Sequence, residues 1–138
     1  MSYYSRQNKS TKVVKKDIQP TESQIQISIM EWAATKEHNG RPLSYHLFHI
    51  PNGGRRSARE GNKLKKEGVQ AGVPDLYMDI AKGGYHGFRL ELKKLKGGIV
   101  SAEQKERIAV LNEEGYKAVV CRGFDESVKA IEEYMALN

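Results

Sequence analysis

Cysteine is almost missing from this 138-residue chain. Cys121 stands alone, in the apolar run Ala118-Val119-Val120, so it can form no internal disulfide and fits a reducing cytoplasm. One cysteine and four histidines do not make a zinc site by their spacing. No apolar run is long enough to cross a bilayer, which leaves no membrane role to expect. The first residues lack the charged-then-apolar pattern of an export signal. Acidic residues are absent from positions 1–16, where Arg6, Lys9, Lys12, Lys15 and Lys16 give +5. Residues 55–66 carry Arg55, Arg56, Arg59, Lys63, Lys65 and Lys66 against Glu60 alone, again +5. The whole chain carries only +6, so the remainder is net acidic and the positive charge is clustered. Clustered positive charge calls for a polyanion, and nucleic acid is the natural one.

The length fits one domain with a real core. Residues 1–19 are polar and basic and are expected to be a disordered tail ahead of a single domain over 20–138. Thr21 and Gln24 form a capping box that predicts a helix from Glu22 to about Glu37, with Ile25, Ile29 and Trp32 on its buried face and Asn39-Gly40 as its stop. Leu43 to Ile50 reads as a strand, closed by the turn Pro51-Asn52-Gly53-Gly54. Ser57-Ala58-Arg59-Glu60 predicts a second capping box and a short basic helix from Ala58 to Gly68. Its apolar face is thin, so it gains little from packing. Ser101 and Gln104 cap a helix to about Glu114; Tyr116–Cys121 reads as a strand, and Asp125 caps a last helix through about Ala136. The fold class is α/β, a mixed sheet flanked by helices.

Asp75–Ala81 and Gly87–Lys93 read as two strands of a hairpin. Leu76, Met78 and Ile80 alternate with Asp75, Tyr77 and Asp79; Phe88, Leu90 and Leu92 alternate with Arg89, Glu91 and Lys93. Directly paired residues share a face, so both apolar sets reach one core only if paired numbers sum to an even value. A three-residue loop, Lys82-Gly83-Gly84, is the simplest way to achieve this, with Gly84 at positive φ. Leu76 then faces Leu90, Met78 faces Phe88, and Asp75 stands opposite Glu91 with Lys93 one step along the same face. A two-residue Gly-Gly turn would separate the two acids.

Two close carboxylates repel each other, and a divalent cation relieves this. Mg²⁺ binds through one or two carboxylates, water and phosphate oxygens, and it can activate water against a phosphodiester. Lys93 could orient that water or stabilise charge on phosphorus. A plainer account is a surface ladder in which Glu91 pairs with Lys93 or Arg89. Gln104 shares a helix stripe with Ile108 and Leu111, so it points toward the sheet, and it also serves the capping box. Glu22 sits in the first turn of its helix, where the dipole favours it; a water-mediated metal contact is the sharper alternative.

The order Gly72-Val-Pro-Asp75, Glu91-Leu-Lys93 resembles the PD-(D/E)xK nucleases. Glu22-x-x-x-Gln26, His49-Ile-Pro-Asn52-Gly53-Gly54 and Ser101-x-x-Gln104 narrow the likeness to the VRR-NUC family, over roughly residues 20–121. The resemblance implies a restriction-endonuclease-like αβββαβ core. It also implies a metal-dependent DNA endonuclease with Glu22, Asp75, Glu91 and Lys93 in its active site and Gln104 in support. Mg²⁺ or Mn²⁺ would be held by Asp75, Glu91 and the Leu92 carbonyl, with Glu22 through water. His49 and Asn52 are expected near DNA, with Arg55, Arg56, Arg59 and Lys63 on phosphates. Small stand-alone members look viral or prophage-like, which would place the protein in a host cytoplasm. A lone nuclease core suits a homodimer cutting both strands of branched DNA such as a Holliday junction. The alternatives are a less selective nuclease of duplex, flap or single-stranded DNA, and a non-catalytic nucleic-acid-binding module.

Overall fold

A computed structural model describes residues 18–51 and 57–138. In chain order the elements are α1 (Glu22–Ala34), β1 (Glu37–His38), β2 (Arg41–Pro42), α2 (Leu43–His46), β3 (Leu47–His49) and α3 (Ala58–Lys66). They continue with β4 (Leu76–Met78), β5 (Phe88–Lys93), α4 (Ala102–Glu113), β6 (Lys117–Arg122) and α5 (Gly123–Met135). The main sheet runs β3-β4-β5-β6. Its first three strands are antiparallel, and β6 lies parallel to β5 after the α4 crossover. Taken as α1, β3, β4, β5, α4, β6, this is the αβββαβ core, with α3 inserted between β3 and β4.

Alternation decides which face is which. Leu76 pairs with Leu90 and Met78 with Phe88, as the apolar phasing predicts. These residues and Leu92 are buried, and they meet Ile25, Ile29 and Ala33 of α1 and Ile131 and Tyr134 of α5 in one core. Trp32 packs against its margin. The opposite face carries Tyr77, Arg89, Glu91 and Lys93, and α4 crosses it. Two of the three predicted capping boxes close in both directions, and at Ser57 only the half from Glu60 N–H forms. Gln24 and Gln104 each accept from the backbone N–H of the cap residue, and Thr21 and Ser101 accept in return.

The tip of the hairpin differs from the predicted three-residue loop. Lys82 bridges Tyr85 across a two-residue turn, Gly83-Gly84, with φ of +57° and +82°. That turn alone would put the acids on opposite faces. The chain has one more residue between Met78 and Lys82 than between Tyr85 and Phe88, and this bulge restores the even register. Continued one residue past β4, the register sets Asp75 against Glu91.

Several boundaries also shift. α1 ends at Ala34 rather than Glu37, and Asn39-Gly40 (φ +50° and +81°) instead turns the small β1–β2 hairpin. The predicted strand Leu43–Ile50 begins as the helical turn α2. Leu43 and Leu47 are both buried, and a spacing of four satisfies a helical period as well as an alternating one. Ser57 caps α3 by accepting from Glu60 N–H, and no α3 residue is buried. Asp125 lies within the first turn of α5 and does not cap it, because Gly123 at φ +79° lets β6 pass straight into the helix. The expected tail falls outside the described residues except at its end, where Gln19 exchanges two 2.9 Å hydrogen bonds with the Lys96 backbone.

Candidate active site

Asp75 is placed by backbone contacts on three sides. Gly72, at φ +84°, lets its loop lie against the start of α4; a Cβ there would come within 2.7 Å of the Glu103 carbonyl group. The Asp75 carbonyl accepts from Ile50 N–H and from His49 Nδ1, both at 2.8 Å. Its carboxylate Oδ2 accepts from Leu92 N–H at 2.8 Å. Burial chiefly, with the nearby Glu22 charge, raises the Asp75 carboxyl above its ordinary value; the Leu92 amide and His49 oppose the rise.

Glu91 is only 2% exposed. Its Oε1 accepts from Gln104 Nε2 at 2.7 Å and lies 3.5 Å from Lys93 Nζ. Its Oε2 is buried with no hydrogen-bond partner. Burial, and then the Asp75 charge, push this carboxyl up to about 7, while Lys93 pulls it down. The orientation of Gln104 follows from the helix cap. Its Oε1 accepts from Ser101 N–H at 2.9 Å, so its Nε2 is the end that reaches Glu91. Lys93 is 7% exposed, with Gly98 packed against its stem. A surface ladder is therefore excluded: this ion pair is buried.

The structure thus brings Asp75, Glu91, Lys93 and Gln104 together. Glu22, exposed at the start of α1, is close enough for its charge to act on Asp75. Leu92 meets Asp75 through its amide. His49 borders the site with its ring tied to the Asp75 carbonyl, a contact the sequence did not signal. Arg59 and Lys63 are exposed on α3, where Lys63 lies 3.8 Å from Glu67. Asn52, Arg55 and Arg56 lie outside the described residues.

Residues 12–125 match the family model of the VRR-NUC domain. The chain belongs to the VRR-NUC family. A solved structure described as a VRR_NUC domain protein is 40% identical, with a TM-score of 0.78, covering 88% of this chain and 93% of that one. No curated protein matches the chain. VRR-NUC membership carries a nuclease-type fold, and the two carboxylates at the site are of the oxygen-donor type that a divalent cation takes. One buried carboxylate oxygen is unsatisfied and a second carboxylate stands beside it. Among the described residues no three His, Cys, Asp or Glu side chains form a ready cage. Mg²⁺ needs none, since water and substrate phosphate complete its shell.

Proposed function

We propose that the protein is a Mg²⁺- or Mn²⁺-dependent DNA endonuclease that hydrolyses phosphodiester bonds. The observation that carries this is the buried Glu91 carboxylate, held at one oxygen by Gln104 and Lys93 and left unsatisfied at the other beside Asp75. An unmet buried acceptor costs about 1–3 kcal/mol, and a cation shared with Asp75 would remove that cost. Asp75 and Glu91 would hold the cation, with the Leu92 carbonyl and, through water, Glu22. The cation would supply an activated water and polarise the phosphoryl oxygen. Lys93 Nζ, fixed by Glu91, would orient the nucleophile or meet the developing charge. Gln104 keeps Glu91 from rotating away. His49 beside Asp75 and the basic α3, with Arg59 and Lys63, support the approach of DNA from this end of the sheet.

Within that activity we favour branched DNA, Holliday junctions included, cut by a homodimer whose two sites address two strands. The free Cys121, buried and with its thiol pushed up to about 12 chiefly by burial, suits a reducing cytoplasm, a host cell's for a viral protein. No described helix is long and apolar enough to cross a membrane. The test is incubation with labelled junction, flap and linear duplex, in Mg²⁺ or in EDTA. Cutting that requires Mg²⁺ and favours the junction is expected. Tight binding with no cutting of any substrate would point instead to a binding module. A sedimenting monomer that still cuts junctions symmetrically would remove the dimer.

A further inference from the structure

We propose that Arg89 and Arg107 form a second phosphate subsite on the same sheet face as Glu91 and Lys93, one or two nucleotides from the bond that is cut. It rests on the DNA-cleaving function above. Arg89 is paired with Tyr77, and it stands two positions before Glu91 on β5. Those two positions advance about 6.6 Å along a strand, while phosphates on one duplex strand advance about 3.4 Å per nucleotide along the axis.

The Arg89 guanidinium lies 4.7 Å from the Tyr77 ring centre and 5.9 Å from that of Tyr116. Phe48 meets Tyr77 edge-on at 5.3 Å. The rings hold the guanidinium plane but supply no negative charge. Arg89 is half-buried, its Nε has no hydrogen-bond partner, and it forms no salt bridge among the described residues. Burial, with the Arg107 charge adding to it, brings this guanidinium below its ordinary value, and the two tyrosines oppose that. Arg107, one helical turn beyond Gln104 on α4, donates through Nη2 to Gln70 and likewise pairs with no acid. Glu103 and Glu106 share a recess of about 340 Å³ with Arg107, yet neither bridges it.

Two partly desolvated cations on one side of the sheet, neither bridged by an acid among the described residues, are costly. An anion between them removes that cost, and the planar donor fork of arginine matches phosphate oxygens. The aromatic rings fix the geometry of Arg89. Like Glu91 Oε2, the pair is a polar group left unmet until substrate arrives.

The test begins with Arg107→Gln, which keeps a partner for Gln70, and Arg89→Met, each checked by thermal melting. With Ca²⁺ replacing Mg²⁺, Arg107→Gln should weaken DNA binding roughly 5–10-fold and lower the salt slope by about one. In Mg²⁺ the KM should rise with kcat little changed. A single neutral methylphosphonate is then walked across the phosphates flanking the mapped cut. At one position, one or two nucleotides away, it should cost wild type a similar loss and cost Arg107→Gln nothing more. Additive losses at every position, with wild type binding and cutting normally, would overturn the subsite alone. Wild type that neither binds nor cuts any DNA would remove the nuclease assignment and the subsite together.

Discussion

The two faces of β5 are buried almost equally and built from opposite chemistry. Leu90 and Leu92 are 0% and 1% exposed on one side, and Glu91 and Lys93 are 2% and 7% exposed on the other. The first face excludes water from a closed apolar core, where each side chain contributes about 1.5–3 kcal/mol. The second buries an acid and a lysine with one carboxylate oxygen unpartnered among the described residues, an arrangement that costs stability. The same strand therefore holds the fold together with one set of residues and stores unmet bonding capacity with the next.

Substitutions on each face should separate these roles. The largest effect belongs to the polar face: Asp75→Asn, Glu91→Gln or Lys93→Met should each lower cleavage by at least 10²–10³-fold, on the scale of losing a transition-state partner, with DNA binding retained. Undiminished cutting by any of them takes that residue out of the mechanism. On the apolar face the pattern inverts. Leu90→Ala should cost about 2–5 kcal/mol in denaturant unfolding while the molecules still folded cut normally.

Acidity sharpens the contrast further. Folded Glu91 keeps its proton to about pH 7, against an ordinary value of 4.5. Between those values the folded chain binds more protons than the unfolded one, so this group's contribution to stability falls as pH rises through the window. Metal-free protein should melt at lower temperature at pH 7.5 than at pH 5.5, and Mg²⁺ should narrow the gap and release protons on binding, measurable by calorimetry in two buffers. A gap that Mg²⁺ leaves untouched would count against Glu91 as a ligand. Gln104→Leu should weaken Mg²⁺ affinity or activity by roughly 10–100-fold, the usual scale for a group that orients a ligand, and also loosen the start of α4. Smallest of all, Gly84→Ala should cost roughly 1–2 kcal/mol because φ is +82° there, with cleavage unchanged.

Much of this contrast was legible in the residue order. Leucines at 76, 90 and 92 alternating with acids and lysine determine which side chains share a face, because a strand's period is two. Gln104 was legible as well, since its cap position and its stripe with Ile108 agree. What stayed hidden depends on contacts between distant segments. Asn39-Gly40 serves equally as a helix stop or a hairpin turn, and only the pairing of Glu37 with Pro42 decides. His49 on the Asp75 carbonyl and Arg89 against Tyr116 join segments that local periodicity never compares.

The bulge beside the Gly83-Gly84 turn has a consequence for how this hairpin can be inherited. Asp75 and Glu91 share a face through the parity of the whole interval between Met78 and Phe88, and the turn is one contributor to it. Insertions and deletions there should be tolerated in pairs, wherever each member of the pair falls. A lineage that gains one residue at the tip can keep the two acids on one face by losing one from 79–81.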